Sequence, residues 1–189
     1  MRLYALIVLV TVALVLGGCK GERQRAEQTQ ETQTQPLEFE MWSPAFAEGD
    51  TIPVKYTCTG ENVSPELHWK GAPKWTKSFA LICDDPDAPG KTWVHWVAWG
   101  IPGEATSLSE AIPPEPVLDD GMRQGTNDFK RIGYGGPCPP PGKPHRYFFK
   151  LYALDTLPDL EPGATKDALL KAINGHILAY AQTVGIYRR

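Results

Sequence analysis

From residue 37 to the C terminus, short apolar runs alternate with clusters of Gly, Pro, Asp and Asn, and the runs are rich in aromatic and β-branched residues. This pattern is typical of β-strands joined by turns. It predicts strands at Leu37–Trp42, Ile52–Thr57, Leu67–Trp69, Ser78–Ile82, Val94–Trp99 and Tyr147–Leu154.

Helical periodicity is found near the C terminus. Thr165 can cap a helix whose apolar face runs over Ala168–Ile173. The pattern is interrupted near Gly175 and resumes over Ile177–Ala181, which predicts a second helical piece. Because strands come first and helices last, with no internal repeat, the sequence predicts a mainly β fold, a sheet sandwich with peripheral C-terminal helices.

The first residues form a different pattern. A basic start at Arg2 is followed by the apolar run Leu3–Leu16, which is too short to span a bilayer comfortably but fits the hydrophobic region of a secretory signal. Two glycines stand directly before Cys19, as in the lipobox of bacterial lipoproteins, whose cysteine is diacylated and becomes the mature N terminus. We predict a lipoprotein signal peptide over residues 1–18; the alternative is a plain secretory signal.

Residues 20–35 are almost purely Gln, Thr, Glu, Lys and Arg, with no large apolar side chain. Such a segment cannot bury enough surface to offset the entropy of ordering. The sequence therefore predicts a lipidated Cys19 with a flexible polar tether over residues 19–35 and a folded domain over residues 36–189. The expected location is the cell envelope, with the domain on the extracytoplasmic side of a membrane.

Composition narrows the classes of partner. The chain has 189 residues, with 19 Lys and Arg against 22 Asp and Glu, and a net charge of -3. Nucleic-acid binding and a polybasic grip on anionic lipid both need clustered cations, so this balance argues against them. The 18 Gly and 18 Pro argue against a fold dominated by long helices.

The first segment with candidate chemistry joins an acidic turn to an aromatic strand. Asp85 and Asp87 lie in an Asp-Pro turn that follows a buried strand. In the next strand, period-two alternation places Trp93, His95, Val97 and Trp99 on one face. A histidine among tryptophans needs a specific polar partner, and a nearby carboxylate is the natural one. The alternatives are a core histidine whose hydrogen bonds are satisfied and acids that serve the turn alone.

The second segment is the Gly- and Pro-rich stretch over residues 133–147. Its glycines allow backbone to approach a ligand closely, and its prolines hold the loop open at low entropic cost. His145 and Tyr147 then supply donors at the start of a long apolar strand. Donors of this kind suit an anion, although the loop can also be a stiff surface connection.

Together these motifs resemble a known family. DDPDAP is followed by WVHW and GIP, and later by GYGGPCPPPGKPHRYFFKLYALD, while IPVKYTCTGENVSPELHW precedes them. They are similar to the phosphatidylethanolamine-binding protein family, specifically its bacterial and archaeal Raf-kinase-inhibitor-like branch, from about Phe39 to Tyr187. The resemblance implies a β-sandwich of two antiparallel sheets with a small pocket at one end, which binds phosphate or the phosphoryl head group of a phospholipid.

The resemblance also assigns roles to residues. The implied ligand-binding residues are Asp85, His95, Pro140, His145 and Tyr147, with Asp87 and Gly136 in support. Asp85 is expected to orient His95 through a ring N–H, leaving the other ring nitrogen for the ligand. One departure is Gly100, which stands where relatives often have Asn.

Catalytic signatures are absent from the sequence. It contains no HExxH, GxSxG, P-loop or GxGxxG motif, so we expect no metal, no cofactor and no enzymatic activity. Nucleophilic catalysis would need a serine, Cys58 or Cys138 beside a histidine. The alternative function, implied by the resemblance, is inhibition of a protein target such as an extracytoplasmic serine protease.

Three cysteines remain if Cys19 is lipidated. Cys58, Cys83 and Cys138 can form at most one intramolecular disulfide, and an exported protein meets oxidising conditions. Cys58 and Cys138 lie in or beside loops, whereas Cys83 lies at a strand end. This placement favours Cys58–Cys138, although any two of the three can pair.

Overall fold

The structure is a computed structural model that describes residues 38–189, so the predicted signal peptide, Cys19 and the tether lie outside the described residues. Its elements are β1 (Glu40–Trp42), a 3-10 turn (Val54–Tyr56), β2 (Leu67–Lys70), β3 (Ser78–Asp85), β4 (Trp93–Pro102), β5 (Ser107–Leu108), β6 (Arg123–Gln124), β7 (His145–Leu154), α1 (Lys166–Ile173) and β8 (Ile177–Tyr187). The strands form two antiparallel sheets, ordered β1-β2-β5 and β6-β4-β3-β7-β8. The predicted mainly β sandwich is confirmed.

The main core lies between the two sheets. Leu67 and Trp69 of the small sheet are buried in the same cluster as Phe79, Leu81 and Phe149 of the large one. Trp69 packs edge-on against Phe79, with ring centroids 5.3 Å apart. This arrangement follows from alternation along β3, since its odd-numbered residues face the small sheet.

A second cluster covers the other face of the large sheet. Ile82 and Trp99 are buried there against Leu169 and Ile173 of α1. Thr165 caps this helix as predicted, because its hydroxyl accepts a hydrogen bond from the Ala168 amide at 3.3 Å. Since β3 is covered on both faces, it is buried along its whole length and forms a rigid centre for the sheet.

One predicted strand is wrong. The segment Ile52–Thr57 contains the 3-10 turn instead, because Pro53 starts a local turn in which the Tyr56 amide bonds to the Pro53 carbonyl at 3.0 Å. Local hydrogen bonds of this kind use the groups that a strand would offer to a neighbour. Thr51 makes one isolated bridge, to Ile186.

The predicted second helical piece is also wrong. After Gly175, whose positive φ of 84° ends the helical region, residues 177–187 form the long strand β8. It pairs with β7, with Tyr180 opposite Tyr152 and Val184 opposite Phe148. Pairing along a ten-residue neighbour outweighs the short helical pattern, because tertiary contacts routinely override weak local propensity. Within residues 38–189, no helix is long and apolar enough to cross a membrane.

Gly100 forms a bulge in the pairing of β3 with β4. Phe79 lies opposite Ile101 and Ala80 lies opposite Trp99, so Gly100 is the extra residue, and its φ is 69°. Glycine takes this left-handed conformation without steric cost, and Asn is one of the few other residues that tolerate it. The Asn that the family resemblance implies at this position would therefore tolerate the same conformation.

Candidate binding site

Three strand ends of the large sheet meet at one end of the sandwich. Asp85 closes β3, Trp93 opens β4 and His145 opens β7. They surround a cavity of about 200 Å³ that is lined by Asp85, Ala88, Pro89, Trp93, His95, Phe129, Cys138, Pro139, Pro140 and His145. Four of the predicted ligand-binding residues therefore line one cavity: Asp85, His95, Pro140 and His145.

A second bulge directs His95 toward this cavity. Cys83 lies opposite Trp96 and Asp84 lies opposite Val94, so His95 is the extra residue of β4. The bulge makes the predicted alternation wrong. His95 packs edge-on against Tyr147 on the inner side of the sheet, whereas Val97 and Trp99 pack on the outer face.

The His95 ring is fixed by backbone. Its Nδ1 donates to the Gly135 carbonyl at 2.6 Å, and the Gly135 amide donates to the His95 carbonyl at 2.9 Å. This corrects the prediction that Asp85 orients His95: the bulge brings the ring to the glycine segment. Burial lowers the pKa of His95 below its ordinary value, and the hydrogen bond from Nδ1 to Gly135 opposes this effect in part. Burial therefore favours a neutral His95.

Asp85 orients the other histidine of the cavity. Nδ1 of His145 donates to Oδ2 of Asp85 at 2.7 Å, and both side chains are buried. The second oxygen of Asp85 accepts the Asp87 amide at 2.8 Å, which closes the turn over Pro86. The antiparallel pairing of β3 with β7 causes this contact, since it places the end of one strand beside the start of the other.

Asp87 braces the same loop and lies outside the cavity. Its carboxylate accepts from Nε and Nη2 of Arg146 at 2.8 and 2.7 Å, and also from the Arg146 amide at 3.0 Å. The guanidinium lowers the pKa of Asp87 to about 2, against a smaller opposing effect of burial. Asp85 and Asp87 thus tie the acidic turn to two successive residues of β7.

Glycine lets the loop after β6 approach the 3-10 turn closely. A side chain at Gly136 would place its Cβ 2.3 Å from the Tyr56 carbonyl oxygen, so no larger residue fits there without movement. The Gly136 amide donates to Oδ1 of Asn62 at 2.7 Å. Further along, Cys138 is joined to Cys58 by a disulfide, with Cα atoms 5.4 Å apart, and Cys83 is a buried free thiol. The pair that the loop positions favoured thus anchors one wall of the cavity.

The sequence of residues 42–188 matches the phosphatidylethanolamine-binding protein family. The chain belongs to this family. Among curated relatives, the UPF0098 protein of Methanothermobacter thermautotrophicus is 57% identical over 145 residues, which cover 77% of this chain and 95% of the relative. The UPF0098 protein of Aquifex aeolicus is 48% identical over 153 residues, covering 80% of this chain and 89% of the relative.

Solved structures of the phosphatidylethanolamine-binding protein family share the fold. A crystal structure described as a family homologue from Chlamydia trachomatis superposes with a TM-score of 0.74 at 38% identity, covering 80% of this chain and 98% of the other. Escherichia coli YbcL, described as a new member of the mammalian family, gives a TM-score of 0.73 at 35% identity, with 80% and 99% coverage.

Tyr147 was predicted to touch the ligand, and the structure places it behind the cavity of this family member. It is fully buried, two residues along β7 from His145, and its ring centroid lies 5.1 Å from that of His95. Burial raises the pKa of its hydroxyl, which has no hydrogen-bond partner among residues 38–189. Tyr147 supports the position of His95.

Sequence reasoning missed part of the cavity wall. Phe129 lies 5.3 Å from His95 and 5.5 Å from Trp93, between ring centroids, and forms an apolar side of the cavity. It lies in a loop without a motif, so no sequence signal pointed to it. Within the described residues, no group of three or more His, Cys, Asp or Glu side chains is placed to hold a metal ion.

A shallower groove of about 500 Å³ adjoins the cavity at His145. Asp87, Lys143 and Arg146 are among the residues that line it. Arg146 is paired with Asp87, whereas Lys143 has no ion-pair partner among residues 38–189. Among residues 38–189, two cations without an ion-pair partner therefore lie near the cavity: Lys143 in the adjoining groove, and Arg189, whose Nη1 is 3.6 Å from Sγ of Cys138 in the cavity wall.

Proposed function

We propose that this member of the phosphatidylethanolamine-binding protein family is a membrane-anchored binding protein whose cavity takes a small anion, such as phosphate or a phosphoryl head group. One observation carries the proposal: both histidines of the cavity use Nδ1 for a fixed acceptor of the protein. His145 bonds to Asp85 and His95 bonds to Gly135. Each ring therefore keeps Nε2 for a ligand.

The chemistry of two free Nε2 atoms suits a phosphoryl group. A protonated ring donates to an anionic oxygen, and a neutral ring accepts from a phosphate hydroxyl. A volume of about 200 Å³ is below the usual range for larger organic ligands and fits one small group with part of its substituent. Lys143 in the adjoining groove adds long-range attraction for an anion.

A non-enzymatic role is part of the proposal. Cys58 and Cys138 were the candidate cysteine nucleophiles, and as disulfide partners they hold no thiol. Cys83 is a free thiol, but burial raises its pKa well above the ordinary value, which disfavours the thiolate. These features support binding as the activity of the cavity.

The anchoring half of the proposal rests on the sequence. The apolar run Leu3–Leu16, the two glycines and Cys19 together predict lipidation, and the polar segment that follows predicts a tether. A disulfide between Cys58 and Cys138 is consistent with an oxidising compartment outside the cytoplasm. The bacterial and archaeal sources of the relatives support the Raf-kinase-inhibitor-like branch.

Calorimetric titration of the purified chain with phosphate and with glycerophosphoethanolamine tests the binding proposal. His145→Asn and His95→Asn keep a nitrogen near the position of Nδ1 and remove Nε2, so each is expected to weaken binding at least tenfold. His176→Asn is the matched control, since His176 bonds to Asp155 at 2.9 Å on the surface. Equal affinity in all variants, or no binding to the parent, contradicts the proposal.

Inhibition of an extracytoplasmic serine protease stays an alternative prediction of the family resemblance. It is tested by assaying a panel of such proteases with the purified chain, with and without phosphate. If phosphate relieves the inhibition, the protease binds at the cavity. If phosphate leaves the inhibition unchanged, the protease binds at another surface of the domain.

A further inference from the structure

Large apolar side chains are exposed at the end of the sandwich that is remote from the cavity. They are Trp75 (81% exposed), Leu157 (56%), Ile177 (44%) and Leu178 (38%). We call this set the apolar end. Single exposed apolar residues are normal on a protein surface, but several at one end mark a contact surface.

The strand register locates the apolar end. β3 runs from Ser78 to Asp85, and the cavity lies at Asp85. Trp75 lies in the loop just before Ser78. At the same end, Leu154 lies opposite both Ser78 and Ile177, which places Leu157 and the start of β8 beside that loop.

The chain also enters the domain at this end. Glu40 pairs with Lys70 at the end of β2, directly before the loop that holds Trp75. The ring of Phe39 stacks on Phe79 at the start of β3, with centroids 6.0 Å apart. Whatever precedes residue 38 therefore joins the domain beside Trp75, and in the sequence that is the predicted tether from Cys19.

We propose that the apolar end rests on the surface of the bilayer that holds the lipid anchor. The inference rests on the anchoring half of the proposed function. A short tether leading to this end keeps it near the bilayer. Tryptophan prefers the membrane–water interface, where its ring is buried and its N–H stays hydrated. Lys74 and Lys77 flank Trp75, and such side chains extend toward lipid head groups while their stems lie on apolar surface.

Charge at the apolar end is nearly balanced. Lys74 and Lys77 have no ion-pair partner among residues 38–189, but Glu104 lies close by, since Gly103 packs against the backbone of Thr76 and Lys77. Asp155 is paired with His176. The apolar side chains therefore supply the attraction, and contact is expected with zwitterionic and anionic lipid alike, with little dependence on salt.

Site-directed spin labelling of the lipidated chain tests the inference. Lys74→Cys carries a nitroxide beside an intact Trp75, and Lys143→Cys carries one at the cavity end, which faces away from the bilayer in this arrangement. The protein is reconstituted on phosphatidylcholine vesicles, with and without phosphatidylglycerol. The depth of each nitroxide in the bilayer is then measured from the ratio of its collision rates with oxygen and with a water-soluble nickel complex. The label at 74 is expected in the interfacial layer, and the label at 143 in water.

A second variant separates Trp75 from the anchor. Adding Trp75→Ala to Lys74→Cys is expected to shift the label at 74 toward water while the protein stays on the vesicles. Failure to sediment with vesicles overturns the anchor and this inference together. If the protein sediments with vesicles but the labels at 74 and 143 are equally hydrated, the inference is overturned, whereas the lipid anchor is supported. Dipolar broadening between labels at 74 would show that the apolar end contacts a second copy of the chain. This result overturns the proposed contact with the bilayer.

Discussion

Asp85 accepts a hydrogen bond from His145 at 2.7 Å, whereas His95, the other histidine of the cavity, bonds to the carbonyl of Gly135 at 2.6 Å. The two rings therefore differ in the charge of the group that fixes them. A carboxylate holds one ring and a neutral backbone group holds the other. Substitution of Asp85 changes the contact with His145 directly. The contact of His95 with the Gly135 carbonyl depends instead on the position of the backbone at Gly135.

Asp85→Asn is expected to weaken phosphate binding roughly tenfold, because a neutral amide replaces the charged acceptor that orients His145. Since the pair is buried, the free energy of unfolding is expected to fall by about 1–3 kcal/mol. Calorimetric titration and denaturant unfolding measure the two effects. Asp155→Asn is the control, because it changes an exposed pair with His176 and is expected to alter neither quantity by much. Unchanged phosphate affinity in Asp85→Asn contradicts this role.

Anion affinity is expected to fall as pH rises. Burial lowers the pKa of His95, and an anion beside Nε2 favours the protonated ring, so binding takes up a proton. Sulfate is the sharper probe, because its charge is constant over this range while that of phosphate changes. Titration at about pH 5.5 and about pH 8.5 brackets the ordinary histidine range. Equal sulfate affinity at both values contradicts the account.

The same shift predicts how stability depends on pH. A lowered pKa means that unfolded His95 binds a proton more readily than folded His95, so its contribution to stability is lost as pH falls through the ordinary value near 6.5. Saturating sulfate is expected to reduce this loss, because it stabilises the protonated folded form. Denaturant unfolding of the parent and of His95→Asn, across that range, measures the difference.

Removal of the disulfide is expected to affect stability and binding together. Cys58 and Cys138 are 80 residues apart, and the chain-entropy model gives about 4.5 kcal/mol for a loop of that length. Cys138 also lines the cavity, so Cys58→Ser with Cys138→Ser is expected to weaken phosphate binding. Reductant is expected to lower the unfolding midpoint of the parent and leave the double variant unchanged. If the unfolding midpoint and the phosphate affinity of the parent stay unchanged after the disulfide has been shown to be reduced, the disulfide contributes to neither stability nor binding.

Gly100→Ala is expected to destabilise the fold by about 1–2 kcal/mol, because the bulge holds this residue at a φ of 69°. Its new Cβ would also lie 3.3 Å from Leu157, a flexible side chain that can move aside. Gly100→Asn is expected to cost less, since Asn tolerates the left-handed region. The order of stability is measured from the free energies of unfolding of the parent, Gly100→Ala and Gly100→Asn. Equal costs for Ala and Asn would assign the effect to crowding instead of backbone conformation.

Sequence patterns predicted the ends of the strands better than their irregularities. The acidic turn and the histidines stand at the borders of apolar runs, and the family resemblance implied that they share a pocket at one end of a sandwich. The bulge at His95 was not, because an extra residue changes pairing without changing the local pattern. For the same reason the partners of Asp85 and His95 were assigned wrongly.

Long-range pairing accounts for the other errors. Residues 177–187 carry a weak helical pattern, and the neighbouring strand β7 decides their conformation. Phe129 reaches the cavity from a loop whose sequence has no recurring signal, so the fold alone brings it beside Trp93 and His95. Local chemistry was readable in the chain, whereas the contacts of β8 and Phe129 with distant segments were not.

The distance between Phe39 and Asp85 along the sandwich has a consequence for the solution that the cavity samples. β3 has eight residues and spans roughly 25 Å, so a domain that stands on its apolar end holds the cavity several Debye lengths from the head groups, at about 8 Å each. In that arrangement the surface potential of the bilayer would neither acidify the cavity nor deplete anions around it. His95 would then titrate at the pH of the bulk solution, and soluble phosphate would reach the cavity from that solution.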